Sequence, residues 1–472
     1  MCADIVRQQK KALSVSPMKT SAPLGGAMAF MGMQGSLPLF HGSQGCTAFA
    51  LVMMVRHFKE AIPLQTTAMS EVSTILGGME NLEQALVNIR NRAHPKIIGV
   101  LTTGLTETRG EDFHGDLRMI RARNPDLDDT AVVIVSTPDF SGGLEDGWAK
   151  AVGAMIDSLV PEAAEAPAYD GPAFLNILAG AHLTPGDVDE VREIVEAFGL
   201  EAVILPDLSS SLDGHVPEDY IATSLGGTTL DEVARMGSAV GTISIGRHMD
   251  LCAEKLATKT GQRVIKLDRL LGLKASDAFV AALSQLSGRP VPAKLRRRRA
   301  QLLDAMLDGH FAFQDSAVAL AGDPETVRAY GLFCAEMGAE LASVVVSTET
   351  EHLKDLPCAT VVVGDHEDSL RRLEKAEVHV DLMIANANAR QTAERMGVPL
   401  YRAGFPIFDR IGAAHQVTAG YRGTRDFIFS LGNAFFDAHD AHAVPAGPGY
   451  PGGGHHSVYP AEDTPSFPQH KH

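Results

Sequence analysis

The chain is poor in cysteine, nearly free of tryptophan and without any long apolar run. Its five cysteines, Cys2, Cys46, Cys252, Cys334 and Cys358, are scattered over 472 residues with no CxxC pair, which argues against a disulfide framework and for a reducing compartment. No stretch approaches the roughly 18 consecutive apolar residues that suggest a membrane span. The N-terminal MCADIVRQQKKALSV lacks the continuous apolar core of an export signal. The expectation is a cytoplasmic protein, neither exported nor inserted. Positive charge is also scarce: 41 Lys and Arg against 58 Asp and Glu leave a formal net charge of -17. This balance disfavours nucleic acid as a partner, because phosphate binding needs clustered cations. The one basic run, Lys294–Arg299 in KLRRRRAQLLDAML, reads as the solvated face of an amphipathic helix. Also missing are a GxGxxG opening a helix after a strand, GxxxxGK[ST], HExxH and GxSxG, which weakens nucleotide-dependent, zincin and serine-hydrolase readings.

What is present describes a globular protein: 45% hydrophobic and 21% charged residues, in a chain long enough for about three domains. Short β-branched runs alternate with longer helical stretches, the pattern of βα units on parallel sheets. Residues 1–20 read as a polar arm, and Pro23, Gly25, Gly26, Gly32 and Gly35 as a loop-rich approach to the first compact region. Domain 1 spans 21–168, with strands IIGVL (97–101) and AVVIV (131–135). Domain 2 spans 169–312 and opens on AFLNILA (173–179). There Thr184 is a candidate N-cap, Pro185 suits the first helical turn, and Gly199 closes the helix at C′. Domain 3 spans 313–442 and opens on SAVALA (316–321). Residues 443–472 are rich in Pro, Gly and His and read as a disordered tail. Its His455, His456, His470 and His472 read as solvated side chains.

Ligands on open parallel sheets gather at the carboxyl ends of strands, so the loops 102–106, 137–143 and 207–211 are positional candidates. The most informative stretch is HGSQGC (41–46), followed by TAFALVMMVRHF. A turn with two glycines delivers Cys46 to the start of a helix expected to be buried on most sides, through Phe49, Leu51, Val52, Met53 and Val55. A helix N-terminus favours a thiolate and any anionic cluster attached to it, and Gly45 lets a ligand approach without a Cβ in the way. The plainer reading of an isolated cysteine is a small buried hydrophobe. Iron–sulfur clusters usually take four cysteine thiolates. This chain has no local group of them, so a cluster at Cys46 needs a second chain.

HGSQGC, PLQTTAMSEVSTILGG (63–78), IGVLTTG (98–104), TPDFSGGLEDGW (137–148) and AGFPIFDRIGAAHQVTAGYRG (403–423) together resemble the nitrogenase component 1 family, in the order of its β-type subunits and over about residues 20–435. The resemblance implies an α/β fold of three Rossmann-like domains, each a parallel sheet flanked by helices. The family's catalytic β subunit has two further cluster cysteines. This chain has Ser21 or Ala22 at the place of one and Gly104 at the place of the other, and serine is a poor soft ligand. The single-cysteine pattern resembles the family's cofactor-maturation scaffold. There a [4Fe-4S] cluster is shared with an E-type partner subunit that supplies three cysteines. The resemblance carries the fourth ligand onto Cys46, and no catalytic residue onto this chain.

It further implies a heterotetramer of α2β2 type and an iron–molybdenum cofactor precursor held mainly by the partner. Molybdenum and homocitrate are inserted with the Fe protein, and other cofactor-assembly proteins deliver the precursor. The alternatives are a catalytic β subunit, a B-type subunit of the light-independent protochlorophyllide reductases, and a metal-free α/β binding protein with Cys46 simply packed. Asp409 and Arg410 beside Phe405 and Phe408 read as a locked loop or domain seam, while Glu71 and Glu107 read as supporting or loop-capping groups.

Overall fold

The computed structural model describes residues 3–7, 17–70, 77–108, 112–164, 169–212, 215–216, 218–376 and 379–442. Strand β1 (Asp4–Arg7) opens the chain. Strands β2 (Ser36–His41), β3 (Gln65–Thr66), β4 (Ile97–Thr102) and β5 (Ala131–Val135) form a first sheet of order β3-β2-β4-β5. A second sheet contains β6 (Phe174–Leu178), β7 (Glu201–Leu205), β8 (Thr242–Ile245) and β9 (Val264–Leu267), in the order β7-β6-β8-β9. The third collects β10 (Ala317–Gly322), β11 (Glu340–Val346), β12 (Thr360–Val363), β13 (Leu382–Ala385) and β14 (Leu400–Arg402), with β1 at its edge, in the order β1-β12-β11-β10-β13-β14. Pairing is parallel in all three. Every residue of β2, β4, β6 and β8 is buried, because helices cover both faces. That is why such strands read as unbroken apolar runs rather than alternating ones.

The expected arm at 1–20 needs correction. Asp4–Arg7 pairs in register with Thr360–Val363, and Ala3 and Met18 are buried in the cores around the second and third sheets. A parallel partner more than 350 positions away leaves no local trace in the sequence.

The loop-rich approach is also corrected: Ala22–Met31 is a helix with every residue buried. Its glycines serve close packing. A Cβ at Gly25 would lie 1.9 Å from the Leu144 carbonyl oxygen, and one at Gly147 would lie 1.8 Å from that of Ala22. The Ala22–Met31 and Leu144–Leu159 helices therefore touch backbone to backbone. Only glycine at both places allows that approach.

The apolar cores run between sheets. Leu175 and Ile177 of β6 share one cluster with Val318 and Leu320 of β10, while Phe174 and Leu178 share another with Leu101 and Val133. The basic run lies on the Ala293–Phe313 helix and is matched by acids. Arg298 meets Glu190 at 3.0 Å, and Arg299 meets Asp277 at 2.8 Å.

Candidate functional site around Cys46

The turn after β2 is clamped from several sides. The Gly42 amide donates to Thr67 Oγ1 at 3.1 Å, and the Met69 amide donates to the Gly42 carbonyl at 2.9 Å. Thr103 and Thr106 hydroxyls both donate to the His41 carbonyl at 3.2 Å. A Cβ at Gly42 would fall 2.4 Å from Thr103 Oγ1, so glycine there is what lets the turn close on the loop after β4. The next loop is tied in too, since Thr137 Oγ1 donates to the Thr102 carbonyl at 2.7 Å. These bonds bring three strand ends together at one mouth.

The helix Gln44–Phe58 starts from this platform, with Cys46 in its first turn. Ser43 occupies the N-cap without a side-chain cap bond, and its hydroxyl lies 3.4 Å from Cys46 Sγ instead. The cysteine is exposed. A Cβ built at Gly45 meets nothing within 4 Å, so this chain's own packing does not require glycine there. The space before the thiol is open, and unbonded amides of a helix start suit an anionic group. Cys252 and Cys334 are buried, and burial pushes both thiols up to about 12, which makes them inert by comparison.

Burial of the helix on most sides is corrected. Thr47, Ala50, Met54 and Phe58 form its inward face, whereas Phe49 is 70% and Val52 54% exposed. Phe140, on the 137–143 loop, is 68% exposed. Of these, Phe49 lines the same cavity as Cys46, and exposed apolar side chains beside an open thiol are the kind of surface a protein partner covers.

Cys46 lines a cavity of about 260 Å³ together with Lys19, Ser21, Phe40, Phe49 and Asp139. The Asp139 carboxyl is raised by partial burial, against the opposing effects of the Gly104 amide that donates to it and of Lys19. The structure thus gathers Cys46, Ser21 and, through Asp139, Gly104 around one opening, while Ala22 is wholly buried. Asp139 and Lys19 were not singled out from sequence. The signal for Asp139 was its place in a loop at a strand's carboxyl end. Among its described lining residues the opening offers one thiol, Cys46, beside the Thr20 and Ser21 hydroxyls, the Asp139 carboxylate, the Asn388 amide and the Met53 thioether, which fits a single thiolate corner of an iron–sulfur cluster.

The other candidates fall elsewhere. Glu107 accepts a hydrogen bond from Thr102 Oγ1 at 2.5 Å, a loop-holding contact. Glu71 and the tail histidines lie outside the described residues. The 207–211 loop does not line the Cys46 cavity; Asp207 accepts from Ser209, Ser210 and Arg192 within its own neighbourhood.

GFPIFDR forms a seam against the far end of the Cys46 helix. Arg56 lies over the Phe408 ring at 4.3 Å, the Ile407 amide donates to His57 Nδ1 at 2.9 Å, and the His57 ring meets Phe405 edge-on. Asp409 pairs with Arg402 at 2.8 Å and, more loosely, with adjacent Arg410 at 3.8 Å.

Burial lowers the His57 imidazole from 6.5 to about 4. The unfolded chain therefore takes up this proton first, and His57 erodes stability as pH falls from about 6.5 towards 4, with a slope of at most about 1.4 kcal/mol per pH unit. In urea unfolding, the stability difference between wild type and His57→Gln is expected to narrow over that window. Parallel pH profiles would contradict the assignment.

Three parallel sheets flanked by helices, with Cys46 the one exposed cysteine among the described residues, define an α/β fold of the nitrogenase component 1 type. A family model described as Nitrogenase component 1 type Oxidoreductase matches residues 21–436, and the chain belongs to that family. Among curated relatives, the nitrogenase iron-molybdenum cofactor biosynthesis protein NifN of Bradyrhizobium diazoefficiens is 48% identical, covering 99% of this chain and 96% of the relative. The NifN of Klebsiella pneumoniae is 40% identical over 93% of this chain and 94% of its own. Among solved structures, nitrogenase Cp1 at pH 6.5 superposes with a TM-score of 0.86 at 30% identity, covering 93% of this chain and 96% of that one. No helix among the described residues is long and apolar enough to cross a membrane.

Proposed function

We propose that this chain is the N-type half of the scaffold on which the iron–molybdenum cofactor of nitrogenase matures, an assembly protein rather than a self-sufficient enzyme. Cys46 supplies one thiolate to a [4Fe-4S] cluster completed by three cysteines of an E-type partner subunit. When bound, that cluster relays electrons across the interface. Gly45 leaves room for its approach, the Gln44–Phe58 helix start faces its negative charge, and Phe49, Val52 and Phe140 seat the partner that shields it from water. The precursor is held mainly by the partner and receives molybdenum and homocitrate with the Fe protein. Other assembly proteins deliver it. The three α/β units, at 21–168, 169–312 and 313–442, act in the cytoplasm within a heterotetramer of α2β2 type.

One observation carries the reading: Cys46 is the single thiol among the described residues lining its opening, while Ser21 or Ala22 and Gly104 stand where the resemblance puts the catalytic subunit's other cluster cysteines. The test is anaerobic co-purification with the E-type partner, followed by iron analysis of the bridging site. About four bridging irons per heterodimer are expected, against about eight for a catalytic subunit. A complex with no bridging iron would overturn the reading.

A further inference from the structure

The carboxyl ends of the second and third sheets face each other, and three side chains meet there. His182 follows β6, His248 follows β8, and Glu325 sits in the first turn of the Pro324–Glu336 helix after β10. One ligand atom from each lies within 4.8 Å of the others. Both ring nitrogens of His182 are buried without a hydrogen-bond partner among the described residues, as are His248 Nδ1 and Glu325 Oε2. Orphaned polar atoms of this kind are costly in a protein interior. Only one nitrogen of each ring can face the shared point, and a buried unpartnered imidazole nitrogen beside an unpartnered carboxylate oxygen there indicates a missing ligand.

The surroundings are shaped for the two rings. A Cβ at Gly180 or at Gly246 would lie 2.8 Å from His248 Cε1 and 2.9 Å from His182 Cε1, so both glycines clear space for the imidazoles. Glu325 is held on two sides: its Oε1 accepts the His248 amide at 3.0 Å, while its own amide donates to Glu145 at 3.0 Å. Two imidazoles and one carboxylate are the donor set of a divalent first-row transition ion of borderline softness.

We infer that His182, His248 and Glu325 form a binding site for one such divalent ion, which bolts the second sheet's unit to the third. His248 binds through Nδ1, which lies 3.6 Å from Glu325 Oε1. Nε2 accepts the Ala181 amide at 3.0 Å, so without an ion the neutral ring carries its proton on Nδ1, and coordination at Nδ1 requires that proton to move to Nε2. The Gly180–Ala181 peptide must therefore turn away on loading, and this is the reorganisation that binding requires. The site lies apart from the Cys46 cavity and holds whether or not the scaffold reading does.

The probe is zinc, titrated against a fluorescent chelator with the full-length chain. Cys46 and the four tail histidines are replaced by alanine so that neither contributes. This background chain is expected to hold about one zinc ion tightly. His182→Gln, His248→Gln and the near-isosteric Glu325→Gln each weaken binding by at least about 100-fold, the upper end of what loss of a merely supporting residue costs. Zinc should also raise the unfolding temperature of the background chain and leave that of Glu325→Gln unchanged. A background chain that binds no zinc, or three variants that bind it as tightly as the background, would overturn the assignment.

Discussion

Gly147→Ala should destabilise the protein by about 3 kcal/mol or more, a large share of the roughly 5–15 kcal/mol that holds a typical domain together. The new Cβ would sit 1.8 Å from the Ala22 carbonyl oxygen. A backbone atom has no rotamer by which to retreat, so the Ala22–Met31 and Leu144–Leu159 helices must separate. Fully buried Phe30 and Trp148, one from each helix, belong to the same apolar core and would lose packing as the helices part. Gly26→Ala provides a comparison: its Cβ meets the Leu101 Cδ2 methyl at 2.3 Å, the end of a side chain that can rotate. Urea unfolding of the three proteins should rank wild type, Gly26→Ala and Gly147→Ala in falling stability. Equal midpoints for wild type and Gly147→Ala would show that the helices are not in backbone contact.

Cys46→Ala is expected to have the largest functional effect. Replacing the thiol leaves the fold untouched, because the side chain is exposed and its one close polar neighbour is Ser43 Oγ. The change removes the only thiol among the described residues lining the opening. Chain stability should shift by no more than about 0.5 kcal/mol, as for other surface positions. The complex with the E-type partner should lose or visibly alter its reduced four-iron electron paramagnetic resonance signal. Water or Asp139 in place of the thiolate would leave a shifted spectrum rather than none. An unchanged spectrum with unchanged iron would exclude Cys46 as a ligand.

How much of this was legible in the sequence depended on how local each cause was. The Thr184–Gly199 element was readable at both ends because its punctuation is chemical and short-range: Thr184 Oγ1 accepts the Asp187 amide at 3.0 Å, and Gly199 takes a φ of +69°. The strands at 97–102 and 131–135 were readable as β-branched apolar runs. Helix Ala22–Met31 was missed because its glycines answer to the Leu144–Leu159 helix, more than a hundred residues away, and glycine in isolation signals a turn. Strand β1 was missed for the same reason.

At the site, HGSQGC marked the cysteine and the turn. Hydropathy alone, however, does not say whether Phe49 and Val52 are covered by their own chain or by another. The His182, His248 and Glu325 group was invisible, since each member is an ordinary residue in its own segment. Only the facing of two sheet ends brings them together.

The most direct test of the account is an iron-edge anomalous diffraction map of the assembled pair. Iron should lie within bonding distance of Cys46 Sγ, at the opening lined by Ser21 and Asp139. A map in which every iron lies too far from that sulfur to bond it would contradict the central claim.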